Sequence, residues 1–291
     1  MNYTNKTAPA PAFRAAAASV PGRDHQRLGR NNQDAFALWQ GTSHLCAVVA
    51  DGCGSAPHSE IGARLGARLL AQALARKLEP PAIAAPLPLG DAPLPSGSAA
   101  REPGFPDCVE TLLAEAREEL LAQLLPIARA LAGAEDERVF AAAVRDHLLF
   151  TLVGALVGSS GAVLFALGDG ALALDGVPIS LGPFADNEPP YLGYGLLPER
   201  LHGFSADQLR FNIAAVSAAP FEIALGSDGA LELFAATPPR DLASETLLFE
   251  NPDALRRKLW LRTQPRHDGG PTLLDDTTLI LLRAPGRAGE A

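Results

Sequence analysis

Several aspartates in this sequence stand where a short apolar run ends or begins. Three of them end an apolar run and are followed by glycine: Asp51, Asp169 and Asp228. An adjacent pair, Asp275 and Asp276, precedes the last apolar run. A carboxylate beside a glycine at a strand end can be held rigidly while the chain turns, which suits a hard, oxygen-ligated cation. Asp-Gly is also a common turn signal. Turns alone do not explain why Asp34 and the 275–276 pair, which lack a following glycine, also lie next to apolar runs. The pattern therefore indicates a metal site.

The elements that would carry these aspartates can be read from the apolar patterns. Period and composition predict strands at residues 35–38, 45–50, 148–157, 162–168, 171–174, 222–226 and 277–282. Two amphipathic helices are predicted between the second and third of these strands. The helices are predicted at 61–73, ending before Pro80, and at 107–126, ending at Pro126. Strands, two helices and more strands favour a layered α+β sandwich over a parallel α/β fold.

Five short segments around the aspartates resemble the ordered motifs of one known family. They are residues 32–35, 49–55, 167–170, 225–229 and 275–278. Together they resemble the metal-dependent protein phosphatases of the PPM class, also called the protein phosphatase 2C family, over about residues 22–284. The resemblance implies a central antiparallel β-sandwich flanked by helices on both faces, in an αββα arrangement.

The resemblance also implies a two-metal centre at one end of the sandwich. One ion would be bound by Asp51, Asp228 and Asp275, and the other by Asp51 and the backbone carbonyl of Gly52. Asp34 would act mostly through waters. Two cations roughly 3.5–4 Å apart bind a water, lower its pKa and offset charge on the phosphoryl group. An all-oxygen ligand set favours Mn²⁺ or Mg²⁺ over Zn²⁺.

The motifs leave two assignments open: a third metal ion, and the residue that contacts the phosphate. Asp146 resembles a family position that helps to bind a third ion, although an aspartate at a helix end can also be simply solvated. Gln33 stands where the family has glutamate, and Gly29 stands where it has a phosphate-binding arginine. We predict that Arg30 takes this role, with Arg27 as the alternative, because a guanidinium binds phosphate bidentately.

Composition excludes several classes of ligand and location. The net charge is −9, from 24 basic and 33 acidic residues, so no basic surplus is available for nucleic acid. The three cysteines form no C-x-x-C pair, and Cys53 occupies a position where many eukaryotic members have histidine. The resemblance implies that such a histidine protonates the leaving group, and here water or His58 would do so, with a plain helix-start residue as the alternative for His58. The other histidines are predicted to be surface or packing residues. Without a long apolar run or a signal sequence, we expect a cytoplasmic protein with no membrane contact.

The predicted domain organisation is simple. Residues 1–20 are expected to form a flexible leader, 21–285 a single phosphatase-like domain, and 286–291 a tail. A Pro- and Ala-rich insertion is expected at about 80–106. This insertion and residues 180–205 are predicted to select substrates, since loops on a rigid scaffold carry specificity.

The predicted function is metal-dependent hydrolysis of phosphoserine and phosphothreonine in proteins. The partners implied by the resemblance are phosphorylated proteins and an opposing protein kinase. The alternative is a catalytically weak phosphatase-like domain that acts as a regulatory binding module, motivated by Gln33 and the displaced arginine. An aspartyl-nucleophile phosphatase is disfavoured because Cys53 stands where its second acid is needed, and a serine hydrolase because no Gly-x-Ser-x-Gly motif occurs.

Overall fold

The computed structural model describes residues 13–41, 44–78, 105–133, 136–158, 161–185, 188–264 and 272–284. In chain order the strands are β1 (Arg14–Val20), β2 (Ala35–Gln40), β3 (Leu45–Gly52), β4 (Phe150–Gly158), β5 (Gly161–Leu167), β6 (Ala171–Leu174), β7 (Val177–Ile179), β8 (Asn212–Ser217), β9 (Glu222–Gly226) and β10 (Thr277–Arg283). The helices are α1 (Arg23–Leu28), α2 (Ser59–Leu78), α3 (Phe105–Ala132), α4 (Glu137–His147), α5 (Gly229–Ala236), α6 (Pro239–Ser244), α7 (Thr246–Glu250) and α8 (Ala254–Thr263).

The strands form two five-stranded sheets in which every pairing is antiparallel. One sheet has the order β1-β10-β9-β6-β7, and the other has the order β2-β3-β4-β5-β8. We call them the β10 sheet and the β3 sheet, after a strand inside each. The predicted α+β fold with antiparallel sheets is confirmed.

The alternation of side chains along β3 explains how the layers pack. Ala47 and Val49 point into the core between the two sheets, and Cys46, Val48 and Ala50 point into a second core on the other face. Helices α2, α3 and α4 cover that second core. A third core lies between the β10 sheet and helices α5 to α8. Because β3 is buried on both faces, it reads in the sequence as a continuous apolar run.

The predicted strands and the first helix are confirmed, with ends that differ by a few residues. The predicted end of the second helix at Pro126 is wrong, because α3 continues through this proline to Ala132. Leu124 and Ala128, on either side of the proline, are completely buried. Their packing outweighs the backbone hydrogen bond that a proline removes.

The prediction of a flexible leader is wrong for residues 14–20. These residues form β1, which pairs along its whole length with β10. Ala16, Ala18 and Val20 alternate with more exposed residues and pack under the helices of the β10 sheet. Alanine has a low strand propensity, and residues 14–20 show no alternation of apolar and polar residue types, so the sequence carried no local signal of this strand.

Other predictions fall partly or wholly outside the described residues. The expected insertion at 80–106 lies outside them up to the start of α3, and the tail at 286–291 lies outside them entirely. Within the described residues, no helix has the length and apolar character needed to cross a lipid bilayer.

Candidate metal centre

Strand ends from both sheets meet around one cavity of about 290 Å³. Asp51 and Gly52 end β3, whereas Asp228 follows β9 and Asp275 precedes β10. Asp34, directly before β2, lines the same cavity. The structure therefore brings together residues that the sequence places more than 200 positions apart. These side chains and backbone groups are contributed by both sheets.

Strand register and one cross-sheet hydrogen bond set this arrangement. In the pairing of β3 with β4, Asp51 lies opposite Thr151, and both residues line the cavity. The backbone N–H of Asp228 donates a hydrogen bond to Oδ2 of Asp51 at 3.2 Å. Because Asp51 and Asp228 belong to different sheets, this bond links the two layers at the cavity.

Glycine at position 52 allows the chain to approach its neighbours closely. A Cβ atom there would lie 2.7 Å from the carbonyl oxygen of Gln33 and 2.7 Å from the Ser59 hydroxyl. Such contacts are shorter than van der Waals packing permits. The end of β3 can therefore lie against the segment that carries Asp34 only if residue 52 has no side chain.

Asp34 is the most unusual carboxylate of the cavity. It is 4% exposed, and neither carboxylate oxygen has a hydrogen-bond partner among the described residues. Burial raises the pKa of Asp34 to about 8; the Ser227 side chain opposes this rise, and the negative charge of Asp276 adds to it. Buried polar oxygens normally have partners, so these two acceptors indicate a ligand that the protein itself does not supply.

The neighbouring carboxylates repel one another in the same way. Burial, and then the charge of Asp34, raises the pKa of Asp51 well above its ordinary value. Burial and then the charge of Asp228 raise the pKa of Asp169 to about 6, and burial and then Asp275 raise that of Asp228. No lysine or arginine lines the described part of the cavity. The donor set therefore fits a divalent cation bound by oxygen atoms.

Asp276 links three segments of the chain around the cavity through hydrogen bonds. Its Oδ1 accepts a hydrogen bond from the Gly22 N–H at 2.7 Å, and its Oδ2 accepts one from the Gln33 N–H at 2.6 Å. Nδ1 of His25 lies 2.8 Å from the same Oδ2. Burial raises the pKa of Asp276, and these hydrogen bonds oppose the rise. Since Gln33 directly precedes Asp34, Asp276 fixes the backbone that carries Asp34.

The sequence reasoning missed the roles of His25 and Asp276. Ligand atoms of His25, Asp275 and Asp276 lie within 4.8 Å of one another, and no other group of possible metal ligands among the described residues is so compact. Asp51, Asp228 and Asp275 all line the cavity, but their ligand atoms do not lie within 4.8 Å of one another. The adjacent acids at 275 and 276 were the available signal, but the contact with His25 spans about 250 residues of sequence.

Asp146 lies apart from this cluster. It is exposed in the last turn of α4 and is not among the described residues that line the cavity. Its backbone carbonyl accepts a hydrogen bond from the His58 N–H at 3.0 Å. Its role as a ligand of a third metal stays a prediction.

The two candidate arginines differ in position. Arg30 donates hydrogen bonds to the carbonyl oxygens of Gly54 and Ala56, at 3.2 and 3.4 Å. Gly54 lines the cavity, so Arg30 lies at its rim. The side chain of Arg27 is 73% exposed, and its nearest carboxylate, that of Asp24, is 4.0 Å away. The geometry therefore favours Arg30 as the phosphate contact.

Several lining residues were absent from the predicted site. Asp169 lies in a recognised motif, but it was not assigned a role. Thr151 follows Phe150 at the start of β4, and Pro189 and Tyr191 come from the stretch predicted to select substrates. Loop residues of this kind carry no periodic signal, so only the folded chain reveals that they reach the cavity.

Comparison with known proteins identifies a family and a fold. A sequence model of the family described as Protein phosphatase 2C matches residues 21–262. Comparison with curated proteins gives no sequence match.

Three solved structures share the fold over nearly the whole chain. A variant of a bacterial serine phosphatase is 16% identical, with a TM-score of 0.53 over 94% of this chain and 99% of that one. PppA, a regulatory component of the T6SS in Pseudomonas aeruginosa, is 19% identical, with a TM-score of 0.50 over 95% and 100%. The Mycobacterium tuberculosis serine/threonine phosphatase PstP/Ppp is 18% identical, with a TM-score of 0.50 over 94% and 99%.

Proposed function

This chain belongs to the protein phosphatase 2C family, and we propose that it hydrolyses phosphoserine and phosphothreonine in proteins by means of a water activated at two divalent cations. The family makes the chain a protein phosphatase. The observation that carries the finer proposal is the buried carboxylate of Asp34, whose oxygens have no partner among the described residues, in a cavity lined by further aspartates. We expect phosphorylated proteins as substrates and an opposing protein kinase, in the cytoplasm.

The residues proposed to hold the two ions are those that the family resemblance assigns, and all of them line the cavity. Asp51 would bridge the two ions, Asp228 and Asp275 would complete one of them, and the Gly52 carbonyl would bind the other. When bound, the two ions supply the positive charge that lowers the pKa of a water and neutralises the phosphoryl group. Their all-oxygen environment suits Mn²⁺ or Mg²⁺.

The protein's own groups would orient the reactants. The two free acceptors of Asp34 can take hydrogen bonds from the attacking water and direct its lone pair towards phosphorus. Asp276 keeps Asp34 in position through its bond to the Gln33 N–H. Arg30, at the rim, can bind the phosphate as it enters.

Metal binding should stabilise the protein in a pH-dependent way. At about 100 times its dissociation constant, Mn²⁺ should add about 2.7 kcal/mol to the free energy of unfolding, or about 5 °C in melting temperature, at about pH 8. The increase should be smaller at about pH 6, because the pKa of Asp34 in the metal-free fold is about 8 and the ion must displace its proton.

Thermal melts with and without Mn²⁺ at both pH values measure this effect. The sign follows from the raised pKa: below it the folded metal-free protein holds the proton, and above it the protein carries an unpaired buried charge that the metal relieves. An Asp51→Asn variant serves as the control and should show little metal effect. Equal increases at the two pH values would contradict the prediction.

Replacing Arg30 by alanine should raise KM for a phosphorylated peptide about tenfold, with a smaller change in kcat. Loss of a hydrogen bond to a charged group has an effect of about this size. Initial-rate kinetics measure it, and Arg27→Ala is the matched control because that side chain is 73% exposed and is paired with Asp24, which does not line the cavity. If the two variants behave alike, Arg30 is not the phosphate contact.

The alternative of a catalytically weak domain that acts by binding has one observation in its favour. No lysine or arginine lines the described part of the cavity, so the cavity supplies little positive charge of its own to a phosphate dianion. Manganese-dependent hydrolysis of p-nitrophenyl phosphate separates the two functions. Turnover no greater than that of Asp51→Asn would favour the binding module.

A further inference from the structure

Tyr191 lies on a part of the cavity wall that differs from the aspartates. It is contributed, together with Pro189, by the segment that follows residue 188 and leads into a short 3₁₀ helix, Leu192–Leu196. Tyr191 lies near Cys53, which also lines the cavity. A phenol therefore stands beside the loop after β3, at the wall of the cavity.

The segment that carries Tyr191 is held against the strands of the site. A Cβ at Gly193 would lie 2.1 Å from the Leu148 carbonyl oxygen, so this part of the chain packs directly on the residues before β4. A Cβ at Gly168 would lie 3.0 Å from the Pro190 carbonyl oxygen, which shows a second close contact next to Asp169. Both contacts fix the backbone on either side of Tyr191.

A second layer of aromatic rings fixes the Tyr191 side chain. Its ring meets that of Tyr194 edge to face, with 5.7 Å between ring centroids. Tyr194 is itself held by a 2.8 Å hydrogen bond from its hydroxyl to Glu188, and it stacks on His202 at 5.0 Å and on Phe204 at 5.4 Å. The phenol of Tyr191 is therefore pre-positioned, and a group on a rigid support loses little entropy when it binds a ligand.

The electrostatic surroundings explain why a neutral donor suits this position. Burial, followed by the interaction with Cys53 and the charges of Asp169 and Asp51, raises the pKa of Tyr191 above its ordinary value, so its hydroxyl keeps the proton. A lysine or arginine here would pair with those carboxylates and compete with metal ions for them. A phenol can donate a hydrogen bond to a phosphate without forming such an ion pair.

We propose that Tyr191 is a substrate-binding residue whose hydroxyl donates a hydrogen bond to a phosphoryl oxygen of the substrate. This inference rests on the proposed function and adds a residue to it. Two of the other side-chain donors at the cavity are already engaged, because the Gln33 amide is bonded to the Ala56 carbonyl and the His25 ring to Asp276. No covalent step is involved, since the proton stays on Tyr191.

The test compares phosphate binding by three forms of the Mg²⁺-loaded protein: wild type, Tyr191→Phe and Tyr194→Phe. Tyr191→Phe should weaken the binding of inorganic phosphate, measured by calorimetry, about tenfold, and should raise KM by a similar factor with little change in kcat. Tyr194→Phe keeps the ring that contacts Tyr191 and that stacks on His202 and Phe204, and it removes only a hydroxyl that bonds Glu188 and does not line the cavity. It should change phosphate binding by less than about twofold.

An independent readout uses the small number of tyrosines. The chain contains three, so labelling with 3-fluorotyrosine gives three fluorine resonances, which the two variants assign. Addition of phosphate to the Mg²⁺-loaded wild type should shift the Tyr191 resonance most. A Tyr191→Phe variant that binds phosphate as tightly as wild type, or an unshifted Tyr191 resonance, overturns the inference while leaving the proposed function intact. A wild type that neither binds phosphate nor hydrolyses phosphopeptides overturns both.

Discussion

Replacing Asp51 by asparagine should lower metal-dependent hydrolysis of a phosphopeptide by about 10³-fold, which corresponds to about 4 kcal/mol of transition-state stabilisation. Asp51 is the proposed bridge between the two ions, and its Oδ2 also accepts the cross-sheet hydrogen bond from Asp228. Asparagine is nearly the same size and retains an oxygen acceptor for that bond. The change therefore removes charge while keeping the shape of the site.

The same substitution should have the opposite effect on the metal-free fold. Because burial and the charges of Asp34 and Asp228 all disfavour ionised Asp51, the neutral amide should leave the metal-free protein at least as stable as wild type at neutral pH. Denaturation in the presence of a chelator measures this. Asp24→Asn, at a carboxylate 57% exposed and outside the cavity, is the matched control. An Asp51→Asn enzyme that keeps most of its activity would exclude the bridging role.

Replacing Phe150 by alanine should lower the free energy of unfolding by about 3–5 kcal/mol, the usual effect of deleting a large buried aromatic side chain. Phe150 is completely buried at the start of β4. Its ring fills the space left by two glycines of α2, since a Cβ would lie 2.9 Å from the ring at Gly62 and 2.2 Å from it at Gly66. Urea denaturation followed by circular dichroism measures the loss.

The glycines provide a sharper form of this test. Gly66→Ala alone should cost about 1–3 kcal/mol, because its methyl group would overlap the ring of Phe150. When Gly66→Ala is combined with Phe150→Leu, the loss of unfolding free energy should be smaller than the sum of the losses in the two single variants, as expected for residues in contact. Val177→Ala, at a side chain 65% exposed, is the control and should change stability by less than about 0.5 kcal/mol. Strict additivity of the pair would contradict the contact.

The same packing explains how a large residue fits directly before Thr151, which lines the cavity. Leu149 and Phe150 precede this threonine in the sequence. The structure accommodates the large ring by using glycine at positions 62 and 66 of α2. A single sequence shows the bulky residue and the two glycines, but it does not show that they face one another.

The features that could be predicted are those with a local cause. Buried runs such as residues 45–50 identify strands by composition alone, and a following Asp-Gly marks where each strand ends. These two signals indicated a metal site at strand ends, and the resemblance to the family then implied that Asp51, Asp228 and Asp275 meet at one end of a sandwich. The order of the motifs added the family, and with it the correct arrangement of layers.

The features that were missed depend on contacts between distant parts of the chain. β1 is rich in alanine and becomes a strand because β10 and the helices of its sheet cover it. The helix α3 passes Pro126 because the residues around it are buried. His25 acquires its role only through Asp276, and Tyr191 only through the loop after β3. Propensity and periodicity describe none of these contacts.

The position of β10 has a consequence for how the protein is made. This strand lies between β1 and β9, although it is the last of the described strands to leave the ribosome, and Asp275 comes immediately before it. A nascent chain that ends before residue 272 leaves β1 and β9 without their shared neighbour and lacks a proposed ligand. We therefore expect that translation must proceed almost to residue 284 before the sheet and the proposed metal site are complete, and that truncated products of interrupted synthesis are inactive.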